Sequence, residues 1–298
     1  HNAPRMTVLA GRGCPFNCTY CCNHALRELA PGRYVRLRSP RNITAEIDAI
    51  RIRYPQVKEI YLEIETIGAD RKWTLDLCSH LGTLKDRAER PLSFGTNYRL
   101  TEHGCEENIF SALHEAGFSF INIGLESGSE RVRSEILHRR YSNDNVLEAV
   151  HLARKYRLKV NIFNLIGVPG ETLKDHMETV QLNRTVQPDH HFTSIFYPYP
   201  GTQLHDTCRQ LNLLPPSSDN RIERSHASMA LPGFSRRQIN RALFLFDYRV
   251  YHGHQPQISL IIRAISAALW RKPAIAAFLR LIRRAFDNCF FREDRIAA

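Results

Sequence analysis

Apolar runs of strand length alternate with amphipathic runs of helix length six times between Met6 and Leu213. The strand-like runs are Met6–Ala10, Val57–Ile64, Leu92–Asn97, Phe118–Gly124, Lys159–Ile166 and Phe192–Tyr197. Between and after them lie helix-like runs at Thr44–Tyr54, Trp73–Leu84, Glu106–Ala116, Ser129–His138, Asn143–Tyr156, Thr172–Thr185 and Gln203–Leu213. Such alternation predicts a parallel sheet whose strands are joined by crossover helices, because parallel neighbours need a long return connection. Six units in one domain point to an α/β fold of the partial (βα)6, TIM-like barrel kind and not to an open dinucleotide-binding sheet. No strict sequence repeat underlies the alternation. In barrels of this kind the reactive groups sit on loops at the C-terminal ends of the strands.

The loop after the first strand carries the strongest chemical signal. It reads Gly11-Arg-Gly-Cys-Pro-Phe-Asn-Cys-Thr-Tyr-Cys-Cys-Asn23 and places Cys14, Cys18 and Cys21 in a C-x3-C-x2-C run. Three soft ligands in one tight loop suit an iron–sulfur cluster or zinc. Structural zinc takes four protein ligands and a cubane bound wholly by protein takes four cysteines. No partner C-x2-C pair follows downstream. The simplest reading is a cluster held by three cysteines with one iron open to a substrate or cofactor. The bland alternative is a zinc knuckle completed by Cys22 or a histidine.

Other strand ends add polar groups. Glu63 and Glu65 lie two apart and share a face of the second strand. Carboxylates on an inner barrel face are costly unless they meet a cation, and an outward, solvated pair is the other reading. The third strand runs into Gly95-Thr-Asn-Tyr-Arg99, where Asn97 and Arg99 are placed to reach a ribose or a carboxylate. The fourth ends Asn122-Ile-Gly-Leu-Glu-Ser-Gly-Ser129 and leads into a helix, a sequence that leaves free N–H groups for an anion and sets Glu126 and Ser127 at the barrel mouth. The fifth ends Leu165-Ile-Gly-Val-Pro-Gly-Glu-Thr172, with Thr172 as a helix cap. The sixth ends Phe196-Tyr-Pro-Tyr-Pro-Gly-Thr202. The fourteen histidines form no H-E-x-x-H or H-x3-H set, and the adjacent His190 and His191 read as structural.

Together, Arg-Gly-Cys-Pro-Phe-Asn-Cys-Thr-Tyr-Cys, Arg36-Leu-Arg-Ser-Pro40, Gly-Leu-Glu-Ser-Gly-Ser, Gly-Val-Pro-Gly-Glu-Thr and Tyr-Pro-Gly-Thr resemble the radical SAM superfamily over roughly residues 1 to 210. Within it the likeness is to the subgroup whose members often carry an N-terminal cobalamin-binding domain. The resemblance implies a [4Fe–4S] cluster on Cys14, Cys18 and Cys21, with S-adenosylmethionine (SAM) chelating the fourth iron. It further implies SAM contacts from Phe16, Tyr20, Glu65, Asn97, Arg99, Glu126 and Ser127, and adenine contact near Ile166. That subgroup usually places an Asp-Asp pair where Ile64-Glu65-Thr66-Ile67 stands here. The implied chemistry is one-electron cleavage of SAM to methionine and a 5′-deoxyadenosyl radical, which takes a hydrogen atom from substrate. Methyl transfer through cobalamin to a small molecule, lipid or tetrapyrrole leads; ring-forming or rearrangement chemistry follows. The implied partners are the substrate, a reducing protein such as flavodoxin or ferredoxin, and an upstream cobalamin domain. No Asp-x-His-x-x-Gly cobalamin signature occurs in this chain. A tRNA methylthiotransferase shares the cysteine spacing, but that group usually ends in a small β-barrel, whereas this tail reads as helix.

Composition enters at the tail and the thiols. Of the formal net charge of +11, +8 falls from Gly233 onward, where twelve Lys or Arg face four Asp or Glu. Helices are expected at Ile239–Tyr251, Ser259–Trp270 and Ala274–Phe286, giving a barrel at 1–213, a linker at 214–233 and a basic helical extension at 234–298. Packing on the barrel, contact with a membrane surface and binding of nucleic acid are the readings of that charge; the helical tail disfavours the last. The eight cysteines do not form a secreted disulfide framework, which together with the lack of a signal peptide and of a spanning apolar run fits a reducing cytoplasm. A chain starting at His1 reads as a fragment.

Overall fold

The structure is a computed structural model that describes residues 5–87, 90–214 and 223–262. Strands β1 (Arg5–Leu9), β4 (Glu59–Ile67), β5 (Ser93–Tyr98), β6 (Phe118–Glu126), β7 (Lys159–Ile166) and β8 (His190–Ile195) form one parallel sheet in that spatial order. Helices α2 (Pro40–Arg53), α3 (Arg71–Asp86), α4 (Glu107–Ala116), α5 (Asn143–Lys155) and α6 (Leu173–Val186) are the crossovers. Among the described strands β1 and β8 are the two edges, so the sheet is an open arc. This is the expected partial (βα)6 architecture.

Strand alternation decides which side is dry. On β4, Ile60, Leu62 and Ile64 are buried toward the helices, whereas Tyr61, Glu63 and Glu65 face the hollow of the arc. The helix-side layer is continuous from Val8 through Ile43, Ile47, Leu77, Phe110, Ile121 and Val146 to Ile162. Local signals bound the helices, and α2 and α3 begin earlier than the expected Thr44 and Trp73 because their caps lie upstream. Ser39 caps α2 with Pro40 in its first turn, Asp70 caps α3, and Gly117 takes φ +93° to stop α4 before β6. Thr172 and Asp175 make a reciprocal capping box on α6.

Several elements differ from expectation. The helix expected over 129–138 is one π-helical turn, Val132–Ile136, folded around buried Arg133. Arg133 donates to Ser127 O at 2.6 Å and Asn143 Oδ1 at 2.7 Å, and this inward pull replaces regular helical pairing. The basic connector after the cysteine loop holds a small antiparallel pair, β2 (Gly11–Arg12) with β3 (Arg36–Leu37), and α1 (Asn23–Leu29) precedes it. β8 starts at His190, two residues earlier than read. After α7 (Gln203–Gln210), the described part of the expected linker is built into a second core. There Met229 and Leu231, followed by Phe234, pack with α8 (Arg236–Tyr251) against α6. Residues 257–262 are helical; the expected helix at 274–286 and most of 259–270 lie outside the described residues. No described helix is long and apolar enough to cross a membrane.

One close approach sets the floor of the hollow. Phe120 lies over Gly95, stacks on Tyr61 at 6.2 Å between centroids, and receives the Arg5 guanidinium at 5.1 Å. A Cβ on Gly95 would fall 2.0 Å from the Phe120 ring. Gly95→Ala should therefore cost about 1–3 kcal/mol in chemical denaturation, as overpacked sites do. The loss should shrink when Phe120→Leu accompanies it; equal losses in the single and double variants would remove this account.

Candidate functional site

The cysteine loop leaves the sheet at β1 and is tied down by its neighbours. Ala10 N donates to Glu63 O at 2.8 Å. Gly13 adopts φ +81°, and a Cβ there would stand 2.5 Å from Tyr34 O, so only glycine suits this turn. Thr19 donates through its hydroxyl to Ile136 O at 2.6 Å, and its carbonyl accepts from Leu204 N at 3.0 Å. The loop is thus clamped between the π-helical turn and the start of α7. Cys18 is buried, Cys14 and Cys21 are half-buried and Cys22 is exposed at the first turn of α1.

Donors converge on the sulfurs. Arg99 Nη1 donates to Cys18 Sγ at 2.9 Å, Arg139 Nη1 approaches it at 3.9 Å, and Asn23 Nδ2 donates to Cys21 Sγ at 3.4 Å. Burial pushes the Cys14 and Cys21 thiols up; the backbone at Phe16 and the Arg99 charge oppose it at Cys14, and Asn23 opposes it at Cys21. Among the described residues no three His, Cys, Asp or Glu side chains already converge on one metal position. The donor set nonetheless suits a thiolate cluster: three free thiols sit on one loop, and two guanidinium groups and an amide face the sulfurs, where anionic charge would collect.

Arg139 joins this loop to the end of β6. Tyr20 donates from its hydroxyl to Glu126 Oε1 at 2.8 Å; Arg139 donates to the Tyr20 oxygen at 3.2 Å and to Gly124 O, and lies 3.7 Å from Glu126. Burial opposes the Arg139 charge, yet the oxygens of Tyr141, Tyr20 and Glu126 and the Cys18 sulfur outweigh it and hold the guanidinium firmly protonated. Burial, with Glu126 adding to it, keeps the Tyr20 hydroxyl protonated against the pull of Arg139. Glu126 itself has φ +63°, a left-handed backbone that a non-glycine residue holds only under constraint. Phe16 lies under the Arg99 guanidinium at 3.9 Å.

The expected site residues therefore divide. Cys14, Phe16, Cys18, Tyr20, Cys21, Arg99 and Glu126 form one cluster of contacts. Glu65 adjoins it in a cavity of about 380 Å³ that it shares with Glu63, Asn23 and Tyr34. Burial and the neighbouring Glu65 raise the Glu63 carboxyl. Asn97 sits lower on the hollow face, accepting from Tyr61 at 2.6 Å and Asn122 at 3.1 Å, and Asn161 extends the ladder to Asn122 at 2.9 Å. Ser127 turns away from the mouth toward α6, its hydroxyl 3.3 Å from Thr179, because Gly128 packs so tightly that a Cβ would meet the α6 backbone at 2.5 Å. Ile166 is fully buried, and its carbonyl accepts from Phe196 N at 2.8 Å, so the chain after β7 and not Ile166 itself is presented. Sequence spacing does not tie Arg139 or Tyr141 to the cysteines, whereas Asn23 belongs to the cysteine loop itself. Of the paired histidines, His190 is exposed and His191 meets Asp247 at 3.1 Å on the helical side.

A profile of the radical SAM superfamily matches residues 8–182, more than half of the sequence. The chain belongs to the radical SAM superfamily. Its members use a [4Fe–4S] cluster and SAM. An uncharacterised methyltransferase from Pyrococcus horikoshii is 27% identical over 241 residues, covering 80% of this chain and 50% of that protein. A tRNA-2-methylthio-N(6)-dimethylallyladenosine synthase from Vibrio cholerae is 28% identical over 214 residues, covering 68% and 43%. Among solved structures, the radical SAM methyltransferase TsrM from Kitasatospora setae, with cobalamin and a [4Fe–4S] cluster bound, superposes with TM-score 0.59 at 15% identity, over 71% of this chain and 38% of that one. The chain thus spans half or less of these relatives' lengths.

The turn after β7 yields a pH prediction. Glu171 is 1% exposed and accepts from the Gly167 and Val168 amides through one oxygen, while its other oxygen has no partner among the described residues. Burial lifts its carboxyl to about 8, against those amides. The folded state thus binds a proton that the unfolded chain releases near 4.5. Its contribution is whole below that value and is lost as pH rises toward about 8, at roughly 1.4 kcal/mol per pH unit. Unfolding free energies taken between pH 5 and 8 should fall more steeply for wild type than for Glu171→Gln; parallel curves would contradict a protonated Glu171.

Proposed function

We propose that this chain binds SAM beside a [4Fe–4S] cluster and reductively cleaves it, the adenosyl product taking a hydrogen atom from an unactivated carbon of a small molecule, lipid or tetrapyrrole that then receives a methyl group from cobalamin as carrier. The observation that carries this reading is the contact between Cys18 and Arg99, joined through Arg139 and Tyr20 to Glu126. When bound, the cluster supplies one electron to the SAM sulfonium, releasing methionine and a carbon-centred adenosyl radical. Cys14, Cys18 and Cys21 hold the cluster. Arg99, Arg139 and Asn23 balance its charge by donating toward the sulfurs. Glu65, on the hollow face, meets the SAM ammonium. Glu126, fixed by Tyr20 and Arg139, meets the methionyl and ribose portion, with Asn97 and Arg99 below it and Phe16 and Tyr20 packing alongside. Ser127 contributes by anchoring the turn on α6, and the chain near Ile166 meets the adenine.

Methyl transfer, with cobalamin as carrier, is supported by the methyltransferase names of the Pyrococcus relative and of TsrM. A second reading, methylthiolation of tRNA, is supported by the Vibrio relative; RNA affinity that falls with salt would favour it.

Anaerobically reconstituted protein given SAM and a reductant should produce 5′-deoxyadenosine. Its absence rules out the cleavage, and one zinc without sulfide in the purified protein replaces it with a zinc module. Alanine at Cys14, Cys18 or Cys21 should abolish cluster assembly, whereas Cys22→Ala should retain iron and sulfide. Glu126→Ala should weaken SAM binding by about tenfold, the loss of one charge-assisted contact. Its iron content should stay near wild type; unchanged SAM affinity would remove Glu126 from the site.

A further inference from the structure

We propose that α1 and the β2–β3 hairpin form the docking surface for an acidic one-electron carrier protein. This rests on the reading of the cysteine loop as a cluster site. Radical SAM enzymes need a reductant. The electron leaves the carrier, which is oxidised by one unit, and enters the chain at the cysteine loop.

Three observations place the surface. First, α1 begins directly after Cys22 and has no buried residue. Leu26 is 49% exposed and Leu29 is 81% exposed. A helix in a folded chain ordinarily buries one apolar stripe, and this one offers its leucines to solvent. Second, the hairpin sets Arg12 directly opposite Arg36. Both are exposed, as is Arg33 nearby, and none of the three meets a carboxylate among the described residues. Like charges facing each other across a strand pair are destabilising by themselves. An anionic partner would turn that cost into attraction. Third, the two features share one cavity: Leu26 and Ala30 of α1 and Arg12 and Arg36 of the hairpin line it, together with Glu63 and Glu65 of β4. Gly11, Gly13 and Asn23 of the cysteine loop line the same cavity, so the surface opens on the cysteine loop itself.

Charge and chemistry choose the occupant. Outside the Glu63 and Glu65 carboxylates of the cavity, the exposed leucines of α1 beside the exposed Arg12, Arg33 and Arg36 match a protein face with an acidic rim. Single-stranded nucleic acid would ask for exposed aromatic rings, and the exposed apolar groups here are leucines. The chain's own residues from Gly233 onward carry +8, the wrong sign for this patch.

The test uses the cluster-loaded chain with FMN-loaded flavodoxin as the probe. Arg12→Glu with Arg36→Glu is one variant, and Leu29→Ser is another. Calorimetric titration should show affinity for flavodoxin falling with salt, and falling at least about tenfold in the charge-reversed variant and about threefold in Leu29→Ser. Cluster bleaching by reduced flavodoxin, divided by bleaching with photoreduced 5-deazaflavin in the same protein, should fall in parallel, which separates lost docking from lost folding. Unchanged affinity, or an unchanged ratio, overturns the proposal. So does a fluorescent RNA oligonucleotide binding wild type in place of flavodoxin and being lost in the same variants. A wild-type chain that cleaves SAM with deazaflavin while flavodoxin ignores the substitutions removes the docking surface alone. A chain that assembles no cluster removes both readings.

Discussion

Arg139 is buried among Cys18, Tyr20, Glu126 and Tyr141, and it is where the cysteine loop meets the far half of the sheet. Bringing a guanidinium out of water is expensive unless its donors are used. Here they go to Gly124 O and to the Tyr20 and Tyr141 oxygens, with the Glu126 carboxylate at ion-pair distance. Tyr141 donates in turn to Leu125 O at 2.9 Å, which fixes the strand end beside the strained Glu126. The left-handed backbone at Glu126 persists because its carboxylate is held on two sides. A site assembled this way is rigid before any cofactor arrives, and pre-positioned charge is the protein's main lever on bound cofactors.

A second buried arginine does the same for the turn below. Arg133 gathers Ser127 O, Tyr141 O and the Asn143 side chain, so the segment from Ser127 to Asn143 folds inward. Ser129 and Arg131 then reach Asp175 on α6 at 2.7 Å each. Burial works against the Asp175 charge, but these donors and Thr172 hold its carboxyl well below the usual range. Glu126 is therefore presented by a loop anchored on two neighbouring units, and Ser127 serves that anchorage through Thr179.

The hollow face has its own order. Arg5 and Phe120 form its floor, the ladder of Asn97, Asn122 and Asn161 crosses three strands at one level, and the carboxylates of Glu63 and Glu65 stand nearer the cysteine loop. Such a gradient, from neutral amides to acids to sulfur ligands, suits a cavity that holds a small polar molecule against a charged cofactor. It follows from the parallel register, which sets equivalent residues of neighbouring strands at one height.

What could be read from residue order alone was whatever depends on near neighbours. The six strands follow from apolar runs, the start of α6 from Thr172, and the cysteine loop from a spacing of seven residues between Cys14 and Cys21. The shared face of Glu63 and Glu65 follows from the period of a strand, although which way that face looks does not. Arg139 lies 119 residues from Tyr20 in the chain, and the amide ladder joins side chains 25 and 39 residues apart. No local pattern marks such pairs, because a buried arginine and an exposed one look alike in a sequence. Burial decides their meaning, and burial is a property of the folded arc: only there did Arg139 become the link between sulfur and carboxylate, Ser127 turn inward, and α1 remain uncovered.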